Sequence, residues 1–379
     1  MRSARARPAG AGAPVRRARK GGAMTGIRIT NCHIHTFTAA HAPLYYPAPP
    51  VAALRAFPGL LRGLRGAARL LPWEAAYEVL LRLEHFRETG CRDSQRAVFL
   101  EAVRHYPASA RFVVLPMDLA CSGYGPVPVG IEAQHRELYE LSRDPELGHR
   151  VIPFATLDPD RPGAVAELRR CLDDYGFRGV KIYPRLGYAP SHEILMREVY
   201  PLCVERGLPV VSHCSRGGVR NRRWSRARAD AVTDPAAHVP VLRAFPGLRL
   251  CLAHFGGDRD WLSYLSDGLD PLDPEARRRN WALSIADMIE SGAYPNLFTD
   301  ISYTLFRFGD CMPLLKLFLE RERLASRILF GSDFYMTRQE DLSEKAVAIR
   351  LRAALGEAAF RRIAETNPAI WLGETQGRA

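Results

Sequence analysis

From Arg111 onward the chain keeps one rhythm, in which short apolar runs of strand composition alternate with longer stretches of helical spacing. The runs occupy 112–117, 151–155, 179–183, 210–213, 248–254, 297–301 and 327–332, and an earlier one lies at 27–35. Helical patterns follow them at 131–142, 162–175, 192–206, 236–245, near 261, 274–291 and 312–323. Strands that each hand over to a helix cannot pair as hairpins. They form a parallel sheet with helices outside it. Eight such units predict an α/β fold, a (β/α)8 TIM barrel. An open doubly wound sheet would want a glycine-rich turn after an early strand to seat a phosphate. The paired glycines come elsewhere, as Gly217-Gly218 and Gly256-Gly257 after the fifth and sixth runs, where they let backbone approach a site closely.

The rhythm breaks once, between the first and second runs. Residues 41–50 are too proline-rich for regular structure, and helical patterns follow at 73–87 and 94–106, with Leu80, Leu81, Leu83 and Phe86 on an apolar face. This insertion, 41–108, is either a lid over the barrel mouth or a helical pair covering the barrel's side. At 379 residues and 47% hydrophobic, the chain can bury a large core. The domain expected is therefore 24–373, with a short tail at 374–379. The formal charge of +12 suggests a polyanion partner until it is located. Seven of those charges, Arg2, Arg5, Arg7, Arg16, Arg17, Arg19 and Lys20, sit in residues 1–23 with no acid among them, which leaves +5 for the rest. That stretch reads as a disordered basic tail rather than a nucleic-acid arm, and Met24 offers an alternative start directly before the first strand. Eight cysteines without a C-x-x-C pair read as reduced thiols of a cytoplasmic protein, and no apolar span approaches the roughly 20 residues that cross a bilayer.

The strand ends carry the chemistry. His33 and His35 alternate onto one face of an extended chain, so two imidazoles can grip one cation. Val210-Val211-Ser212-His213, Leu250-Cys251-Leu252-Ala253-His254 and Ile328-Leu329-Phe330-Gly331-Ser332-Asp333 repeat the design, an apolar run closing on a nitrogen or oxygen ligand. In a barrel all five groups fall at the C-terminal rim, where such folds keep their catalysts. Neutral imidazoles with a carboxylate suit Zn²⁺, with Mn²⁺, Fe²⁺ or Co²⁺ as alternatives, and leave a position for a water whose pKa falls to roughly 7. Cys32, Cys214 and Cys251 adjoin these groups, but alternation turns a neighbour to the opposite face, so packing is their expected role.

These segments together, His33-x-His35, Val-Val-Ser-His213-Cys-Ser-Arg-Gly-Gly, Leu-Ala-His254-Phe-Gly-Gly-Asp and Leu-Phe-Gly-Ser-Asp333, resemble the amidohydrolase superfamily. Within it they are similar to the amidohydrolase-related branch that holds metal-dependent hydrolases and aminocarboxymuconate-semialdehyde decarboxylase. The likeness runs from Ile27 to Gly373 and includes the closing Asn367-Pro368-Ala369-Ile370-Trp371-Leu372-Gly373. The resemblance implies that His33, His35, His213 and Asp333 bind one metal, that His254 polarises substrate or shuttles protons, and that Asp333 doubles as base. It implies for Lys181 either carboxylation as a bridge to a second ion or, the reading favoured here, a lysine holding an anion or a carboxylate.

The function expected is hydrolysis of a small, anionic amide, ester or lactone, because the segment Gly-Val-Lys181-Ile-Tyr-Pro resembles the hydrolase members. Decarboxylation of a small carboxylic acid is the alternative, and a non-catalytic basic binding protein a second. Lys181, Arg185, Arg216 and Arg220 are candidates to bind a substrate carboxylate, since a guanidinium fork matches its geometry. Tyr183, Tyr303 and Phe306 are candidates to shape an apolar pocket, while Arg222 to Arg228 read as a solvated charged loop. The partner expected is a small molecule, with neither nucleic acid nor membrane, in a chain that a homodimer would suit.

Overall fold

The computed structural model describes residues 26–49, 57–70, 74–266, 268–304, 308–335 and 344–374. The basic stretch 1–23, Met24, Trp73, Phe306 and the last five residues lie outside them. The strand segments are β1 (Thr30–Ile34), β2 (Arg111–Val114), β3 (Val151–Pro153), β4 (Ala155–Thr156), β5 (Val180–Ile182), β6 (Val210–Ser212), β7 (Leu250–Leu252), β8 (Leu297–Asp300) and β9 (Ile328–Leu329). All pair in parallel and in sequence order, β1-β2-β3 in one sheet and β4 to β9 in another.

The two sheets are arcs of one ring. Phe154 joins β3 to β4 as a single bent strand, and its N–H donates to the Val114 carbonyl at 3.2 Å, bridging the first gap. Beyond β9 the ring closes on β1 through Cys32 N–H to Phe330 O at 2.8 Å, Asp333 N–H to His33 O at 2.9 Å and His35 N–H to Phe334 O at 2.5 Å. Eight strand positions therefore make the (β/α)8 barrel. The strands are apolar on both faces because both are covered. Val113, Ile152, Phe154, Val211, Cys251, Phe298 and Leu329 pack inside the ring, where Trp371 and Leu372 of the final helical turn join them. Phe112, Val114, Val180, Ile182, Val210, Leu250 and Leu297 pack outward against helices.

Several boundaries differ from the sequence expectation for identifiable reasons. The helix expected over 192–206 is a wide π turn, Leu195–Val199, followed by Tyr200–Glu205, with Pro201 in its first turn. The stretch 274–291 is two helices, Pro274–Arg279 and Trp281–Glu290, because the Asn280 side chain leaves the helical path to accept the Leu283 N–H at 3.1 Å and cap the second. Part of the arginine-rich loop is itself a helix, Arg226–Thr233, capped by Ser225. The insertion touches both the barrel's mouth and its side. Phe86, on helix Glu74–Gly90, faces the barrel mouth, while helix Gln95–Val103 lies at the side, where the Gln95 amide donates to Gln134 O at 2.7 Å. Among the described residues no helix is long and apolar enough to cross a membrane.

Candidate metal centre

The strand carrying the first two histidines is not regular. Its register slips between Asn31 and Ile34, so three steps on β1 oppose two on β2, a bulge that re-aims the side chains within it. Simple alternation, the sequence argument for pairing His33 with His35, is thus replaced by a kink, yet the two rings still meet, with centroids 5.2 Å apart. The His35 Nδ1 faces the Leu115 carbonyl at 2.8 Å and the His33 Nδ1 faces Asp300 Oδ2 at 3.0 Å. Carbonyl and carboxylate oxygens only accept, so both Nδ1 atoms carry the proton and both Nε2 atoms present a lone pair. Those two Nε2 atoms lie 3.3 Å (His35) and 3.7 Å (His33) from Asp333 Oδ1.

The same logic fixes the other two rings. At the end of β6, His213 Nε2 is 3.1 Å from the Gly217 carbonyl, which leaves its Nδ1 bare. At the end of β7, His254 Nδ1 is 3.2 Å from the Ser302 carbonyl and 2.9 Å from Ser302 Oγ, which leaves its Nε2 bare. The two bare nitrogens face each other at 3.1 Å. Two lone pairs at that distance repel unless a cation or a proton lies nearby. The His33 Nε2 and Asp333 Oδ1 atoms are likewise buried without a hydrogen-bond partner. Ligand atoms of His33, His35 and Asp333 lie within 4.8 Å of one another, as do those of His33, His254 and Asp300. This convergence of electron pairs with the protons all turned outward is what a divalent cation requires, and outward hydrogen bonds of this kind are how proteins orient metal-binding histidines. The donor set, imidazole nitrogen and carboxylate oxygen, fits Zn²⁺, Mn²⁺, Fe²⁺ and Co²⁺.

The electrostatics agree. Burial, then the neighbouring Lys181 cation, push His33 down to about 3. Burial together with His254 and Lys181 holds His213 well below the ordinary histidine range, and burial lowers His254 as well. All three are neutral at pH 7. Burial opposes ionisation of Asp333, but the surrounding His35, His33 and His254 rings hold its carboxyl below the usual range, so it is a carboxylate. Burial lowers Lys181 to about 8, with Asp300 and Asp333 resisting the shift.

Backbone geometry makes room for the cluster. His254 sits at φ +69° in the left-handed region and starts the turn that ends at Gly256 and Gly257. Gly218, at φ +88°, lies against the site: a Cβ there would run into the Tyr183 hydroxyl and sit 3.2 Å from the His213 ring.

The cluster forms the floor of a cleft of about 830 Å³, counting the space at its mouth. Phe37, Phe86, Met117, Leu119, Val219 and Tyr303 line its walls, with Lys181 and Tyr183 beside His213. The structure thus brings His35, His213, His254, Asp333, Lys181, Tyr183 and Tyr303 to one cleft, with His33 beneath. It does not bring the three arginines there. Arg185 is buried against Asp230 and Thr233. Arg216 donates to Asp260 at 2.9 Å and to the Arg279 carbonyl at 2.8 Å, and lies over the Trp281 ring. Arg220 donates to the Asn221 and Trp224 carbonyls. Their forks are spent on folding the loops after β5 and β6, which corrects the expectation that they reach substrate. Asp300 and Ser302 escaped the sequence reading, although Phe298-Thr299-Asp300 is another apolar run that closes on a ligand-type oxygen.

A parallel barrel whose C-terminal rim gathers imidazoles and a carboxylate defines a class, the metal-binding barrel enzymes. A family model described as Amidohydrolase matches residues 132–373, more than half of the chain, and the chain belongs to that family. Among solved structures it is similar to 5-carboxyvanillate decarboxylase from Sphingomonas paucimobilis, at 13% identity and a TM-score of 0.50 over 92% of this chain and 99% of that one. It is similar also to 5-carboxyvanillate decarboxylase from Novosphingobium aromaticivorans, a variant solved with bound manganese and 3-methoxy-4-hydroxy-5-nitrobenzoic acid, at 15% identity and a TM-score of 0.52 over 93% of this chain and 99% of that one. An amidohydrolase II gives 14% identity and a TM-score of 0.53 over 91% and 99%. At these identities the likeness speaks to fold. No protein of curated function matches the sequence. The family match makes the chain an enzyme of the amidohydrolase family.

Proposed function

We propose that the chain is a divalent-metal-dependent hydrolase that holds one ion, zinc or manganese, between His33, His35, His213 and Asp333. The observation that carries this reading is the pair of bare nitrogens, His33 Nε2 and His35 Nε2, that face Asp333 Oδ1 with their ring protons turned away, while the bare nitrogens of His213 and His254 face each other in the same cleft. When bound, such an ion polarises a carbonyl and brings the pKa of a water to roughly 7. Asp333, an ionised carboxylate with one unpartnered oxygen at the cleft floor, takes the proton of the attacking water. His254, held by Ser302 with its Nε2 toward the cleft, orients the scissile group and receives or returns a proton there. Lys181 is the cation beside them that an oxyanion or a carboxylate meets.

The walls set the substrate class. With Arg185, Arg216 and Arg220 engaged elsewhere, anion recognition among the described residues of the cleft rests on Lys181, beside the ion. The substrate is a small amide, ester or lactone with an aromatic or otherwise apolar body. The setting proposed is the cytoplasm, where the eight cysteines stay reduced thiols. One observation favours a second reading, decarboxylation: among the described residues that line the cleft, the cation a carboxylate meets is Lys181 at the floor, where loss of CO₂ would occur. Metal-loaded protein incubated in ¹⁸O-water with a panel of aryl esters, lactones, anilides and aromatic acids separates the two. Label in a carboxylate product supports hydrolysis, CO₂ release supports the second reading, and neither product from protein carrying one equivalent of metal would sink both.

A further inference from the structure

We infer that Asp300 is the positioning residue of this centre, a single carboxylate that dictates which nitrogen of His33 is bare and locks the His254 turn to it. The inference rests on the one-ion reading proposed above. Asp300 ends β8, fully buried, and divides its oxygens between two strands that do not touch each other. Oδ2 receives the His33 Nδ1–H at 3.0 Å. Oδ1 accepts the backbone N–H of His254 at 3.1 Å and of Ser302 at 2.9 Å, together with the Ser302 hydroxyl. Ser302 Oγ in turn lies 3.1 Å from His33 Nδ1 and 2.9 Å from His254 Nδ1. Oδ1 already accepts three protons and Oδ2 that of the His33 ring, with the Cys251 thiol 3.7 Å away, so Asp300 is the anchor of ligands rather than a ligand, although its oxygens lie as near to the rings as those of Asp333 do.

A carboxylate alone can do this, because all its lone pairs accept. The isosteric amide of Asp300→Asn has one accepting and one donating end. If its oxygen keeps the two backbone N–H groups, its NH₂ points at His33 Nδ1, which must then accept, and the ring proton moves to Nε2, the atom that has to be bare. If the amide flips, its NH₂ faces two N–H donors in a buried site, and the turn that presents His254 is left without an acceptor. Either arrangement damages the centre without removing any metal-contacting atom.

The test is a chelator competition with Zn²⁺ and Mn²⁺ on the full chain and on D300N, joined to ¹⁵N NMR of histidine tautomers in metal-free protein, with His33 assigned from an H33Q variant. The expected result is binding about 10- to 100-fold weaker in D300N, with His33 as the Nδ1–H tautomer in the wild type and the Nε2–H tautomer in the variant. A wild-type chain that binds neither ion overturns the one-ion reading itself. Binding by D300N within twofold of wild type, or a proton on His33 Nε2 in the wild type, overturns the role given to Asp300 while leaving that reading intact. The wild-type tautomer decides the matter even if D300N does not fold.

Discussion

Two buried clusters in this molecule have nearly the same inventory. At the barrel mouth His33, His35 and Asp333 bring ligand atoms within 4.8 Å; between two outer helices, His135, Glu167 and Cys171 do the same. In the outer cluster His135 Nε2 accepts the Thr156 N–H at 3.0 Å, so its Nδ1 is protonated and donates to Glu167 at 2.8 Å. Cys171 and Arg170 complete the carboxylate's partners. Each lone pair there is already used, and binding a cation through Nδ1 would require an imidazolate. At the mouth the ring protons point away to Leu115, Asp300, Gly217 and Ser302, and the lone pairs point inward. Nearness of ligand types does not make a metal site. The direction in which the second ring nitrogen is satisfied does.

The contrast can be broken most directly at Asp333. D333A should lose the metal outright, a larger effect than the ~10- to 100-fold typical of residues that only orient ligands, with the far-ultraviolet circular dichroism unchanged; elemental analysis that still finds one equivalent would erase the distinction. Saturating stripped protein with Zn²⁺ or Mn²⁺ at a thousand times its Kd should stabilise it by about 4 kcal/mol, seen as a rise in Tm that D333A does not show. H135A should do the opposite. It strands the Thr156 N–H and takes one of three partners from the Glu167 carboxylate, and should cost about 1–3 kcal/mol in denaturant unfolding, with metal stoichiometry untouched.

A third buried acid sharpens the comparison by pH. Asp158, like Asp333, has an unpartnered oxygen, but Asp118, Asp160 and Arg161 surround it and no imidazole does. Burial, with Asp118 and Asp160 adding to it against the Asp160 N–H hydrogen bond, raises its carboxyl to about 7. A raised pKa means the folded state holds the proton more tightly. The resulting stability is intact below about pH 4, the unfolded value, and drains away as pH rises through 7. D158N removes that slope, so the variant should match wild type at pH 4 and exceed it by roughly 1–3 kcal/mol at pH 8. Parallel stability curves for the two proteins would show that Asp158 ionises freely.

How far the sequence could be read follows from the kind of force involved. The strands were legible because burial on both faces demands uninterrupted runs such as Val210-Val211 and Leu250-Cys251-Leu252, and their order because parallel strands need crossovers. His33, His35, His213, His254 and Asp333 were legible because each closes such a run. Asp300 closes one too, but a carboxylate's partners lie across the barrel in β1 and after β7, and spacing along one strand does not reveal them. Arg185, Arg216 and Arg220 were misjudged for a related reason: residue type fixes what a guanidinium can hold, and only the packing of Asp230, Asp260 and Trp281 fixes which way it reaches. The bulge in β1 depends on the partner strand's register and is equally silent in a single run.

The hydrogen bonds that close the ring also join Asp333, just after β9, to His33 on β1. During synthesis β1 leaves the ribosome before β2 to β9, bearing His33 and His35, and waits with an open edge until β9 has been made. A nascent chain that has emerged only through β8 offers any passing ion a partial and solvent-accessible grip. Under the one-ion proposal, a chain that stops before β9 lacks Asp333, the carboxylate of the ligand set, and should hold no ion.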